Sequence, residues 1–203
     1  RDGEAMVALA PGWQGRVMTS TAGGDKGLSF GWINRELIAS GETKPHINVF
    51  GGEDRFWMGP EGGQFSIFFA KGVPFDFEHW FTPACIDTVA YPIAKQAQDY
   101  ARFAYDLSLT NYSGTPFQVK VQREVRLLGE KAVWKKIGIP AVPGVKMVAF
   151  ESDNRITNAG KQPWTKQTGL LSIWILGMFN PSPETTVVVP IVAGSETALG
   201  KKV

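Results

Sequence analysis

Apolar and polar residues alternate along two stretches in the second half of the chain. The first stretch has apolar side chains at positions 103, 105, 107 and 109, and the second at positions 117, 119, 121, 125 and 127. A period of two is typical of a β-strand with one buried face. The intervening Asn111-Tyr-Ser-Gly114 is rich in turn-forming residues. The pattern therefore predicts two strands joined by a short turn.

The same reading predicts further strands and little helix. Predicted strands cover residues 4–9, 15–21, 64–70, 145–151, 170–178 and 185–192, and a short helix is predicted over 127–137. Strands 64–70 and 170–178 carry apolar residues on both faces, which favours burial on both faces. An aromatic, proline-broken segment over 74–83 is expected to cover an edge or a cleft. No linker divides the chain, so we predict one all-β domain over residues 1–203, an antiparallel β-sandwich or barrel.

Two charged residues fall in phase with apolar neighbours. Arg123 lies on the apolar face of the strand over 117–127, and Glu151 is in phase with the apolar residues at 145, 147 and 149. A buried guanidinium needs a carboxylate or a ligand as its partner. Arg123 is therefore expected either in an internal salt bridge or in a ligand site, and Glu151 is a second acid predicted to point inward.

The composition of the chain argues against several classes of function. The net charge of +2 gives no electrostatic basis for nucleic-acid binding, and the 43% hydrophobic content favours a folded core. Because the chain has one cysteine, Cys85, and only His46 and His79 as histidines, a cysteine-based or multi-histidine metal site is not expected. No apolar run reaches about 20 residues, so no membrane span is predicted. We predict no cofactor and no metal.

Residues 48–64, here called the glycine-rich segment, concentrate the candidate chemistry. We interpret the segment as the wall of a ligand cleft, because glycine allows close backbone approach. Acids, amides and arginines bind sugar hydroxyls, and aromatic rings stack on the C–H face of a sugar. The predicted ligand-binding residues are Asn48, Glu53, Arg55, Trp57, Glu61, Gln64, Arg123 and Glu151.

Four residues are candidates for acid–base catalysis: Glu53, Glu61, His46 and His79. A buried Glu with a raised pKa can act as acid or base. Structural alternatives remain open for each feature. Gly59-Pro-Glu-Gly-Gly63 could be a simple turn, Arg55 could pair with Glu53 or Asp54, and both histidines could be structural.

Five sequence blocks resemble a family of uncharacterised bacterial proteins. They are GRVMTS at 15–20, GWINRE at 31–36, GGEDRFWMGPEGGQ at 51–64, ESDNRITN at 151–158 and SIWILGMF at 172–179. That family resembles the galactose mutarotase-like superfamily, which includes the aldose 1-epimerases. The resemblance implies a large antiparallel β-sandwich (supersandwich) with a sugar-binding cleft on one sheet.

The resemblance also implies that the catalytic residues of the mutarotases are not matched in this chain. Mutarotases use a His as general acid and a Glu as general base, and that Glu lies in a C-terminal part not matched here. Neither His46 nor His79 matches the catalytic His. The chain is therefore expected to be the N-terminal part of a longer sandwich. Because it begins with Arg1 rather than Met, a processed N-terminus and a periplasmic or secreted location are expected.

Three functional hypotheses follow. The first is a carbohydrate-binding or carbohydrate-active domain, with sugar epimerase (mutarotase) activity as its enzymatic form. The second is a non-catalytic structural or interaction module in which the charged residues form internal salt bridges. The third, a polysaccharide lyase or hydrolase, rests on analogy between folds alone.

Overall fold

The computed structural model describes residues 1–191 and residue 194. This part of the chain is mostly β, and all its paired strands are antiparallel, which confirms the predicted β-rich class. The strands are β1 (Met6–Ala10), β2 (Arg16–Thr21), β3 (Arg55–Gly59), β4 (Ile93–Gln96), β5 (Tyr100–Thr110), β6 (Pro116–Leu127), β7 (Phe150–Asn158) and β8 (Ser172–Leu176). The helices are α1 (Arg35–Ser40) and α2 (Glu130–Ile137), and short 3₁₀ turns lie between other elements.

Strands β4 to β7 form one four-stranded sheet in sequence order. Its centre is the predicted pair β5 and β6, which align from Tyr100↔Arg126 to Thr110↔Pro116. The turn between them is held by Asn111, whose side-chain oxygen accepts from the backbone N–H of Thr115 at 2.9 Å. The predicted strands and turn are therefore confirmed.

The alternation along β5 and β6 sorts apolar from charged side chains. Odd-numbered apolar residues are buried on one face, and the even-numbered residues of β6 from Gln118 to Gln122 are exposed on the other. The buried face packs against the apolar residues of β3 and of residues 67–69, giving a single core. The remaining strands and the side chains of the candidate site are arranged around this core.

Two further strand pairs complete the sheets. β1 pairs with β2, with a register shift between Ala8 and Leu9, close to the predicted strands over 4–9 and 15–21. β3 pairs with β8, from Arg55↔Leu176 to Gly59↔Ser172. Every residue of β3 is buried, so the middle of the glycine-rich segment is a core strand.

The predicted strand over 64–70 is wrong. This stretch has no strand, although Ile67, Phe68 and Phe69 are buried as the apolar pattern required. Its backbone folds onto the preceding loop: Ser66 N donates to Gly63 O at 3.0 Å and Ile67 N donates to Pro60 O at 3.1 Å. These local bonds take the place of a ladder to a neighbouring strand.

Strand boundaries also differ from the prediction near the C-terminus. β7 begins at Phe150 rather than at residue 145, and β8 covers Ser172–Leu176 with Trp174 and Ile175 exposed, so residues 170–178 are not buried on both faces. No strand forms over residues 185–191, and position 192 lies outside the described residues. Asp153 and Asn154, although turn-forming in type, lie within β7.

The helix predicted over 127–137 is confirmed by α2 (Glu130–Ile137). The six-residue α1 was not predicted, although its ends carry sequence signals. The Asn34 side chain accepts from Leu37 N at 3.0 Å as an N-cap, and Gly41 ends the helix with a φ of 67°.

Candidate functional site

The glycine-rich segment contributes a buried polar network around Arg55. The Arg55 guanidinium donates to an Asp87 carboxylate oxygen at 2.7 Å and to the carbonyl of Ile86 at 3.3 Å. The Asn48 side chain donates to the same carboxylate at 2.7 Å. Arg55 therefore pairs with Asp87 and not with Glu53 or Asp54. Sequence reasoning missed Asp87 because 32 residues separate it from Arg55.

The pKa of the Arg55 guanidinium is shifted by its buried environment. Loss of hydration lowers the pKa of the guanidinium, and the Asp87 charge acts in the opposite direction. The guanidinium carbon also lies 4.4 Å from the centre of the Trp57 ring, a cation–π contact. Asn48, Arg55 and Trp57 are thus brought together, facing the interior of the protein.

Arg123 forms the second buried ion pair. It points to the inner face, as its phase in β6 predicted, and donates to Asp54 and to the carbonyl of Gly15 at 3.2 Å. The other Asp54 oxygen accepts from the Ser152 hydroxyl at 2.7 Å. Arg123 thus makes an internal salt bridge, the first of its two predicted alternatives.

Glu53 is buried and bound to β2. One carboxylate oxygen accepts from Ser20 N at 2.6 Å and the other from the Ser20 hydroxyl at 2.8 Å. These bonds fasten the glycine-rich segment to the first strand pair. Both carboxylate oxygens of this catalytic candidate are therefore engaged in an internal contact.

A third buried arginine, Arg16, lies beside this network. It donates to the carbonyl of Gly51 at 3.1 Å and to the Gln14 side chain at 3.4 Å. Burial, and then the neighbouring charge of Arg55, lower its pKa to about 9. Sequence reasoning did not single out Arg16 because one charged residue at the start of a short strand gives no phase signal.

Glu61, Gln64 and Glu151 lie apart from the buried network. Glu61 accepts from the Trp57 indole N–H at 2.6 Å, whereas Gln64 is exposed. Glu151 does not point inward as predicted: it is exposed and pairs with Lys136. Within β7 the even-numbered residues are the less exposed ones, so the odd-numbered Glu151 points to solvent. The prediction extended an apolar pattern at residues 145, 147 and 149, which lie before the strand begins.

An exposed aromatic surface lies next to this rigid interior. We define it by Phe69, Phe75, Phe77, Trp80 and Phe81. The rings of Phe75, Phe77 and Phe81 are 53%, 69% and 45% exposed, although such side chains usually prefer the core. The segment is too irregular to turn all these rings inward, because prolines flank it and only one 3₁₀ turn, Phe77–His79, forms within it.

The aromatic surface stands on buried rings. Trp80 stacks on Phe68 at a centroid distance of 5.2 Å, and Phe68 packs on Trp57 at 5.3 Å. The planes of Phe77 and Trp80 lie within 15° of each other, with centroids 6.4 Å apart. An open depression of about 420 Å³ is lined by Phe69, Phe75, Asp76, Phe77 and Trp80. The depression is thus lined mainly by aromatic rings, which give it an apolar wall.

Both histidines belong to this surface. The ring of His46 lies 4.5 Å from the ring of Phe77 and 4.5 Å from that of Phe81, with Nδ1 2.7 Å from the Trp80 carbonyl oxygen. His79 Nδ1 lies 2.5 Å from an Asp76 carboxylate oxygen, and the same oxygen accepts from His79 N. The hydrogen bond from His79 lowers the pKa of Asp76. The aromatic surface therefore carries a charged carboxylate beside exposed rings.

The hydrogen bonds described above join none of the four catalytic candidates to another. His79 bonds Asp76, His46 bonds the Trp80 backbone, Glu53 bonds Ser20 and Glu61 bonds Trp57. An acid–base mechanism needs two groups that reach one substrate. The described contacts assign each candidate a separate structural partner.

A second concave surface of about 370 Å³ lies on the polar face of the four-stranded sheet. Its charges are paired across and along the strands, Arg102 with Glu124 and Arg155 with Asp153. Such pairs are typical of a solvated sheet face. The surface lacks the exposed aromatic rings that mark the first one.

The described residues contain no group of three or more His, Cys, Asp and Glu side chains arranged to hold a metal ion. Neither α1 nor α2, nor any other described helix, has the length and apolar character to cross a membrane.

Taken together, fold and site define a β-rich protein with a buried network of charged residues and an exposed aromatic surface. The chain belongs to the family of unknown function DUF6786, whose match covers residues 1–203. No curated protein and no solved structure matches the chain. Nothing in these comparisons links it to the galactose mutarotase-like superfamily.

Proposed function

We propose that this protein binds carbohydrate through the aromatic surface. The observation that carries the proposal is the exposure of Phe75 and Phe77 beside Trp80, on buried supporting rings and next to a charged carboxylate. A contiguous exposed apolar patch on a folded protein marks a binding or interaction site.

The chemistry of the surface suits a sugar ring. The C–H face of a pyranose is apolar and lies flat on an aromatic ring, while its hydroxyl groups point sideways. Asp76 lines the depression and, as a carboxylate, accepts hydrogen bonds from hydroxyl groups. The proposal therefore assigns stacking to Phe77 and Trp80 and hydroxyl recognition to Asp76.

In this proposal three of the eight ligand-binding residues predicted from sequence act as support for the aromatic surface. Trp57 packs on Phe68, which packs under Trp80, and Trp57 is itself fixed by Arg55 and Glu61. A rigid base keeps the exposed rings in place before the ligand arrives, which lowers the entropic cost of binding. A sandwich of galactose mutarotase-like type is part of the same proposal, supported by the antiparallel sheets.

A glycan array probed with the whole chain tests the binding class. We expect retention on a subset of neutral glycans, and weaker retention of the Phe77→Ala variant. The matched control is Ile139→Ala, which removes another exposed apolar side chain, 52% exposed. No retention on any glycan, or equal loss in both variants, would contradict the proposal.

The proposal is for binding rather than for anomer interconversion, because the catalytic candidates have separate structural partners. Polarimetry of freshly dissolved aldoses should show the same rate of mutarotation with and without the protein. A clear acceleration that the Glu61→Gln variant abolishes would instead support the epimerase hypothesis.

The alternative of a structural or interaction module has its own support. Arg55–Asp87 and Arg123–Asp54 are buried internal pairs, as that hypothesis requires of the charged residues. It predicts no glycan retention, so the array separates the two hypotheses.

A further inference from the structure

The outer edge of β8, on the side away from β3, is a second candidate binding surface. Among the described residues β8 pairs with β3 alone. In an antiparallel ladder alternate residues turn their N–H and C=O groups to each side, so the outer side of β8 offers unpaired backbone groups.

Apolar side chains surround this free edge. Trp174 and Ile175 of β8 are 54% and 43% exposed, and Leu170, Met178 and Phe179 near its ends are exposed too. Exposed apolar strand edges are sites of strand addition, in which backbone bonds give affinity and side chains give register. Proteins otherwise protect such edges with charges or prolines, and β8, with the sequence SIWIL, has neither.

The chain also holds a segment suited to this edge. Residues 185–191 read Thr-Thr-Val-Val-Val-Pro-Ile, and β-branched residues of this kind prefer strands. Yet the segment forms no strand, and Val187, Val188 and Val189 are between 76% and 79% exposed. Among the described residues there are therefore both a strand edge without a neighbour and a strand-prone segment without a sheet.

The connection between β8 and this segment is held along another part of the chain. Trp32 N donates to Met178 O at 3.0 Å and Asn180 N donates to Phe30 O at 2.8 Å, so the chain after β8 is fixed along residues 30–32. The Asn180 side chain adds bonds to the carbonyls of Ser29 and Gly31. Two prolines, Pro181 and Pro183, then precede the segment and stiffen its departure.

We propose that residues 185–191 of one copy add as a strand to β8 of a second copy. Reciprocal exchange gives a closed dimer with a two-fold axis, in which each copy both donates and accepts a strand. Pro190 is compatible with this role, because an added strand is an edge strand and tolerates proline on its outer side.

Sedimentation equilibrium of the whole chain tests the dimer. The expected mass at micromolar concentration is twice the 22.2 kDa of one chain. Ile175→Lys places a charge on the acceptor strand. Val187→Pro removes a backbone donor that faces β8, because residue 187 is out of phase with the outward-facing Pro190. Each variant alone is expected to sediment as a monomer. The control Ile139→Lys, at an apolar residue that is 52% exposed and lies far from β8 in sequence, should remain dimeric.

Mixing the two variants sharpens the test. The Ile175→Lys copy keeps an intact donor segment, and the Val187→Pro copy keeps an intact β8, so the mixture should regain a heterodimer with one contact. Circular dichroism of each variant checks that it is folded.

Two results would overturn the proposal. They are a wild-type monomer at every concentration, and a dimer that persists in Val187→Pro.

Discussion

At the scale of single residues, the buried charges are structural anchors. Arg55 and Asp87 have side chains only 6% and 5% exposed, and they join β3 to the segment after residue 83. A buried ion pair contributes little net stability, but removal of one partner leaves an uncompensated charge in the interior. The functional candidates that sequence reasoning placed here, Asn48 and Arg55, are part of this anchor.

Asp87→Ala should be strongly destabilising for that reason. We expect a loss of about 3–5 kcal/mol in the free energy of unfolding, measured by urea denaturation. The control is Glu151→Ala, which breaks the exposed pair with Lys136 and should cost less than about 1 kcal/mol. Similar losses in both variants would contradict the assignment of Arg55–Asp87 as an anchor.

At the scale of elements, the β5–β6 hairpin was predictable because one face is buried along its whole length. Its turn depends on Asn111, which is buried, accepts from Thr115 N and donates to the carbonyl of Thr168 at 2.9 Å. One side chain therefore fixes both the turn and a distant loop.

Asn111→Ala should cost about 1–3 kcal/mol, because both of these partly buried backbone groups lose their partner. Ser108→Ala, which removes an exposed cross-strand bond to Gln118 in the same hairpin, should change stability by less than about 0.5 kcal/mol. Thermal denaturation of the two variants decides between a specific role for Asn111 and a general sensitivity of the hairpin.

Other elements could not be predicted because their cause is not periodic. Ile67, Phe68 and Phe69 are buried as expected, but sequence could not show that Ser66 and Ile67 would bond the loop at 60–63 instead of a strand. Glu151 followed an apolar pattern that ended before β7 began. The exposure of Phe75 and Phe77 was likewise invisible, since an irregular segment has no period that assigns its faces.

At the scale of the whole molecule, one core presents two exposed surfaces for which we propose different partners. Buried ion pairs and stacked rings hold the aromatic surface in place, and its Asp76 and exposed rings are suited to a sugar. The free edge of β8 is suited to a second copy of the chain. Because the two surfaces use different residues, the dimer and the sugar site can each be tested without the other.

Calorimetric titration of a sugar retained on the array tests the central claim most directly. Wild type and Ile139→Ala should bind with equal affinity. Phe77→Ala should bind about 2- to 13-fold more weakly, since an aromatic stacking contact contributes about 0.5–1.5 kcal/mol. Equal affinity of the wild type and Phe77→Ala would show that the aromatic surface is not the carbohydrate site.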